Sequence, residues 1–138
     1  MRAIALAAVL TLTAAPALAA DPAEGEWLTQ GGSGKVRIAP CPGQAGKLCG
    51  AISWLRPADA KATDANNPDP KLKTRPILGM PMLWGFKAAG PGKWTGGKIY
   101  DPNSGKTYDS KISVKPDGTL KVEGCILMVC QAQTWKRG

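Results

Sequence analysis

The sequence predicts an all-β fold, an eight-stranded antiparallel up-and-down barrel, and three observations carry that reading. Apolar and polar residues alternate with period two in short runs. Gly, Pro, Asn and Asp separate those runs at short intervals. Beyond the N-terminal segment, no stretch keeps a helical period over three turns.

Strands are expected at 26–30, 35–40, 48–55, 82–87, 93–100, 106–114, 119–125 and 131–136. The alternation is plainest in Val36-Arg37-Ile38, Ile52-Ser53-Trp54, Ile112-Ser113-Val114 and Leu120-Lys121-Val122. Asp101-Pro102-Asn103-Ser104-Gly105 and Pro116-Asp117-Gly118 supply residues suited to tight or left-handed backbone, so each separates two strands. Eight consecutive strands with short connections close most naturally into a barrel, which leaves no sheet edge exposed. A two-sheet sandwich is the alternative.

Residues 56–81 break this rhythm. They contain Pro57, Pro68, Pro70, Pro76 and Pro81 with Asp64, Asn66, Asn67 and Asp69, and they do not alternate. Connections this long inside a compact domain are uncommon and often functional. The segment reads either as a proline-stiffened cover beside the barrel mouth, with Asn67, Asp69 and Arg75 as its polar contacts, or as a surface excursion around a short helix at 58–65. Arg75 precedes Pro76 and is therefore held extended, where its guanidinium can pair with Asp69 or meet an anionic ligand head.

The N-terminus reads as an export signal, residues 1–19, followed by a single domain, residues 20–138. Met1 and Arg2 form a positive start, residues 3–15 are an apolar run, and Ala17-Leu18-Ala19 places small residues where a signal peptidase cuts, between Ala19 and Ala20. The apolar run is too short for the roughly 20 residues that span a bilayer, so no transmembrane segment is expected and the location is periplasmic. The formal charge is +8, and lysines spread along the chain carry most of it. In that compartment an anionic envelope surface, and not nucleic acid, is the attracted partner; a basic face that only aids solubility is the plainer account. Four cysteines in an oxidising compartment form disulfides, with three pairings open to them. Cys41–Cys49 and Cys125–Cys130 are expected, because each pair brackets a short loop between two strands.

Familiar catalytic and metal chemistry is missing. The chain has no histidine, which removes Ser/His and Cys/His pairs and starves a zinc site of ligands. Gly105-Lys106-Thr107 lacks the earlier glycine of a phosphate loop, since Tyr100 stands there. Asp101 and Asn103 open like a calcium loop, but the glycine comes one position early. No catalytic residue, metal or cofactor is expected, and the chain is read as not an enzyme.

Several strings together carry a family resemblance: Cys49-Gly50-Ala51-Ile52-Ser53-Trp54-Leu55, Asn67-Pro68-Asp69-Pro70, Arg75-Pro76-Ile77-Leu78-Gly79, and the run from Trp94 through Asp101-Pro102 to Gly105-Lys106-Thr107-Tyr108. These resemble the bacterial domain of unknown function 2147, which implies a small exported protein without an established activity. Gly25-Glu26-Trp27 on the first strand and Arg137 after the last are similar to the lipocalin-like (calycin) pattern. That likeness implies a floor of Gly25, Trp27 and Arg137 in which a guanidinium lies across the indole. The register of the last strand decides between Arg137 and Lys136 for this role.

An eight-stranded barrel can be filled by its own side chains or hold one small ligand. Both outcomes fit the aromatic residues on these strands. If the barrel is hollow, the residues expected at a ligand are Trp54, Trp84, Trp94, Tyr100 and Tyr108, with Asn67, Asp69 and Arg75 from the long loop. The favoured function is binding of a small apolar or amphipathic envelope ligand; the alternative is a structural or protein-interaction module of the envelope.

Overall fold

A computed structural model describes residues 7–12 and 20–138. Most of the expected signal, including its cleavage site at Ala17-Leu18-Ala19, lies outside the described residues. Residues 7–12 are exposed and have no regular structure. Among the described residues, no helix is long and apolar enough to cross a membrane.

Eight strands follow one another: β1 (Gly25–Leu28), β2 (Gly34–Pro40), β3 (Lys47–Leu55), β4 (Pro81–Ala88), β5 (Lys93–Asp101), β6 (Lys106–Val114), β7 (Leu120–Ile126) and β8 (Val129–Arg137). Each pairs antiparallel with the next and β8 pairs back to β1, so the sheet is a closed barrel and not a two-sheet sandwich. Alternation decides which side chains face inward. Val36 lies opposite Ile52, Leu83 opposite Ile99, Ile112 opposite Val122 and Leu120 opposite Trp135, and all of these side chains are buried.

The floor end holds the tightest packing. Trp27 is fully buried and its Nε1 donates to the Ala23 carbonyl at 2.9 Å. The Arg137 guanidinium lies 3.8 Å from the Trp27 ring centre and donates to the carbonyls of Glu24 at 2.7 Å and Pro22 at 2.8 Å. Trp27 is opposite Arg137 in the register, which selects Arg137 over Lys136. Gly25 has φ +117°, and a Cβ there would stand 2.8 Å from the arginine Nη1, so glycine serves both the backbone and the guanidinium.

Two strand ends differ from expectation by two residues, the others by one at most. β1 stops at Leu28 because a turn follows at once, with the Thr29 amide donating to the Gly34 carbonyl and the Gly32 amide to that of Thr29. β8 begins at Val129, earlier than expected, because the Cys125–Cys130 disulfide joins directly opposed residues and continues the ladder to Ile126 and Val129. Closure is therefore shallow. β1 pairs with β8 only at Trp27–Arg137 and Leu28–Lys136, and nearer the mouth the Gln30 side chain takes the Thr134 amide at 2.9 Å. The second expected disulfide, Cys41–Cys49, is also formed.

The helix considered at 58–65 is not there. One 3-10 turn, Pro57–Asp59, is followed by extended chain in which the Ile77 amide donates to the Ala62 carbonyl and the Asp64 amide to that of Arg75. Thr63 and Pro76 form an isolated bridge between these two stretches. Pairing back on itself satisfies backbone groups that a helix would otherwise have satisfied.

Candidate functional site

The connections after β1, β3, β5 and β7 meet at one end of the barrel, and that end is hollow. Trp27, Trp135, Phe86 and Leu120 fill the lower interior without leaving surface exposed. Above them lies a cavity of about 830 Å3. Its wall is apolar, with Val36, Ile52, Met82, Ile99 and Val122, and its rim is polar, with Gln30, Asn103, Gln131 and Gln133. Tyr108 also borders it, opposite Ile99 in the register, and among the described residues nothing hydrogen-bonds its hydroxyl. Gln131 and Gln133 share the inward face of β8 with Trp135, whose Nε1 donates to Gln133 Oε1 at 3.0 Å. The interior is thus divided, filled at the floor and open at the mouth.

The long loop contributes to this site in two ways. Arg56, Asp59, Ala62 and Ile77 border the mouth, with Arg56 Nε and Asp59 Oδ2 paired at 2.5 Å. The polar residues further on do not reach the mouth; they clamp the loop against the outer wall. Asp64 is fully buried and accepts from Tyr100 Oη at 2.6 Å, Asn67 Nδ2 at 2.9 Å and Arg75 Nε at 2.9 Å. Burial alone would raise the Asp64 pKa, but these three donors and the arginine charge outweigh it and hold the carboxyl below its ordinary range. The Tyr100 hydroxyl is pushed up to about 12 by burial and by its bond to the neighbouring carboxylate. Asn66 ties the loop to the β5–β6 turn, donating to the carbonyls of Pro102 and Asn103 at 3.1 Å each.

The expected ligand residues separate into distinct places. Tyr108 and Tyr100 border the cavity, although the Tyr100 hydroxyl is committed to Asp64. Asn67, Arg75, Trp84 and Tyr100 gather around a smaller hollow of about 450 Å3 on the outer wall, beside Pro81 and Thr107. Trp84 faces outward because it pairs with Lys98, whereas its neighbour Leu83 pairs inward with Ile99. Trp54 is on the outside of β3, 38% exposed, with Lys35 Nζ 5.4 Å from its ring centre. Trp94 belongs to the floor, where its indole donates to Asp21 at 3.0 Å. Asp69 is exposed and accepts from the Lys71 amide in a local turn, so Arg75 pairs with Asp64 and not with Asp69.

Sequence reasoning missed Asp64, Gln131 and Gln133. The two glutamines were legible, since they stand two and four residues before Trp135 on one face of a strand. Asp64 carries no linear signal of burial. Met82 faces inward because β3 and β4 shift register between Gly50–Leu83 and Ala51–Pro81, an irregularity that strict alternation cannot reveal.

A closed, eight-stranded, antiparallel barrel with a packed floor and a cup-shaped mouth is a lipocalin-like fold. A solved structure, protein HP1028 from the human pathogen Helicobacter pylori, described as belonging to the lipocalin family, is similar with a TM-score of 0.75. The match has 24% identity and covers 84% of this chain and 82% of that one; at this identity the likeness shows the fold. The chain belongs to DUF2147, a family of uncharacterised proteins conserved in bacteria, whose model matches residues 25–137. No curated protein matches the chain.

Proposed function

We propose that this is an exported, periplasmic, non-catalytic binding protein for a small apolar or amphipathic ligand of the bacterial envelope. The apolar part of the ligand enters the mouth cavity, and its polar end stays at the rim beside Gln131 and Gln133. The observation that supports this is the half-filled interior. Space of about 830 Å3 lies within the size range of small-molecule sites, and an apolar wall with a few polar groups at one end is their usual lining. The disulfides fit an oxidising compartment.

Native mass spectrometry of the protein purified from its own periplasm tests the reading. A retained small molecule, displaced by a long-chain fatty acid analogue, is expected. A ligand-free protein that also ignores apolar fluorescent probes defeats it. The second reading is a structural or protein-interaction module of the envelope. A retained protein in the same spectrum would support that one.

A further inference from the structure

The β7–β8 hairpin ends in four consecutive apolar residues, and all four are turned to solvent: Ile126 at 63% exposure, Leu127 at 92%, Met128 at 97% and Val129 at 72%. Soluble proteins scatter single apolar residues over their surface, whereas a contiguous exposed group marks a contact site. The backbone breaks a local rule at the same place. Leu127 has φ +55°, the one non-glycine residue with positive φ among the described residues, although turns that need this conformation ordinarily use Gly or Asn. The Cys125–Cys130 staple sits directly beneath and holds the tip as one rigid unit. Apolar exposure, a left-handed leucine and a covalent brace coincide within six residues, where folding alone asks for a polar turn.

We propose that this tip inserts into the surface of an anionic lipid bilayer and seats the barrel mouth against it. Shape supports a bilayer over a protein partner: a stable protein interface needs on the order of 1,000 Å2 of complementary surface. A two-residue turn is too narrow for that, while a bilayer takes up each apolar side chain without shape matching.

Charge at the same end supports an anionic surface. Lys106 begins β6 at the mouth end, Lys61 lies on the long connection there, and Lys71 and Lys73 lie on the part of that loop docked against the adjoining outer wall; all four are exposed and have no ion pair among the described residues. Of the acids there, Asp59 is paired with Arg56 and Asp64 with Arg75, while Asp69 and Asp101 cap their own turns and keep their charge, which leaves the lysines in excess by two. Trp54, half-exposed beside Lys35 at the mouth end of β3, is the type of residue that settles at headgroup depth. The surface stands whether or not the cavity takes a ligand.

The test uses residues 20–138, which contain all eight strands and both disulfides. The protein is sedimented with vesicles of phosphatidylcholine alone or with phosphatidylglycerol added. Binding to the mixed vesicles, weakened by salt, is expected, and Leu127→Asp with Met128→Asp should weaken it at least about tenfold. A second variant, Met128→Trp, reads depth, since its added emission should shift to the blue and be quenched by brominated lipid. Binding that survives the double Asp substitution, or added emission unchanged by vesicles, overturns the proposal. So does a concentration-dependent dimer that the Asp substitutions dissolve without lipid, which would make the tip a contact between copies of the chain.

Discussion

Trp27 and Arg137 carry the floor as a pair, because the indole fills the barrel's narrow end and the guanidinium covers it while capping two carbonyls. Trp27→Ala should lower stability by about 3 to 5 kcal/mol, the range for emptying a large buried aromatic site, as read from urea unfolding. A loss below about 1 kcal/mol would mean that the indole does not hold the floor. Asp64 and Tyr100 govern a different property, the pH range of the loop. The lowered Asp64 pKa makes its contribution present above the ordinary carboxylate value of 3.8 and lost as pH falls through the folded value. The raised Tyr100 pKa makes its contribution complete below 10.0 and lost as pH rises towards about 12. Unfolding midpoints should therefore decline at both extremes, and Tyr100→Phe should flatten the alkaline arm. An alkaline decline unchanged by Tyr100→Phe would assign it to other groups.

The loop of residues 56–81 is held by its own cross-pairing and by one buried carboxylate, not by any helix. Five prolines narrow its unfolded ensemble, so less entropy is lost when it orders. Limited proteolysis should leave residues 58–73 intact in the native protein. Asp64→Ala, which strands Tyr100, Asn67 and Arg75, should open that stretch to cleavage and lower stability by about 2 to 3 kcal/mol. Rapid cutting of the unaltered protein would show that the clamp does not hold in solution. The staples act on elements too. Each closes a small loop, so replacing either pair with serines should lower stability by roughly 2 to 3 kcal/mol. Non-reducing digestion should return peptides joining Cys41 to Cys49 and Cys125 to Cys130; crossed peptides would contradict the register of both hairpins.

At the scale of the whole molecule, packed floor and open mouth divide labour between stability and binding. Filling the mouth tests the division directly. Val122→Trp, at the cavity wall, should abolish uptake of an apolar fluorescent probe while leaving the melting temperature within a few degrees of the parent. Uptake that survives this substitution would place the probe elsewhere, with the outer hollow beside Trp84 the first place to look. The shallow β1–β8 closure leaves the upper part of β8 bordered by Gln30 and not by a strand, so the mouth has one wall that a side chain seals.

The strands, their order, both disulfides and Trp27 at the floor were legible along the chain, whereas its cationic partner, Arg137 and not Lys136, is set by the β1–β8 register. The legible features depend on local alternation, on turn residues and on spacing along the chain, as with Leu120-Lys121-Val122 or Gly25-Glu26-Trp27. What each strong candidate does depends on contacts between residues far apart in the chain. Trp54 and Trp84 are aromatic residues of the kind that lines a ligand site, yet pairing register turns one to solvent and the other to the outer wall. Asp64 looks like any loop acid, and it is buried because three donors from Tyr100, Asn67 and Arg75 converge on it after folding. Period-two alternation fixes a side chain relative to its own strand. Whether that face becomes cavity, floor or outer wall depends on bulges, closure and loop docking, which act between residues far apart in the chain.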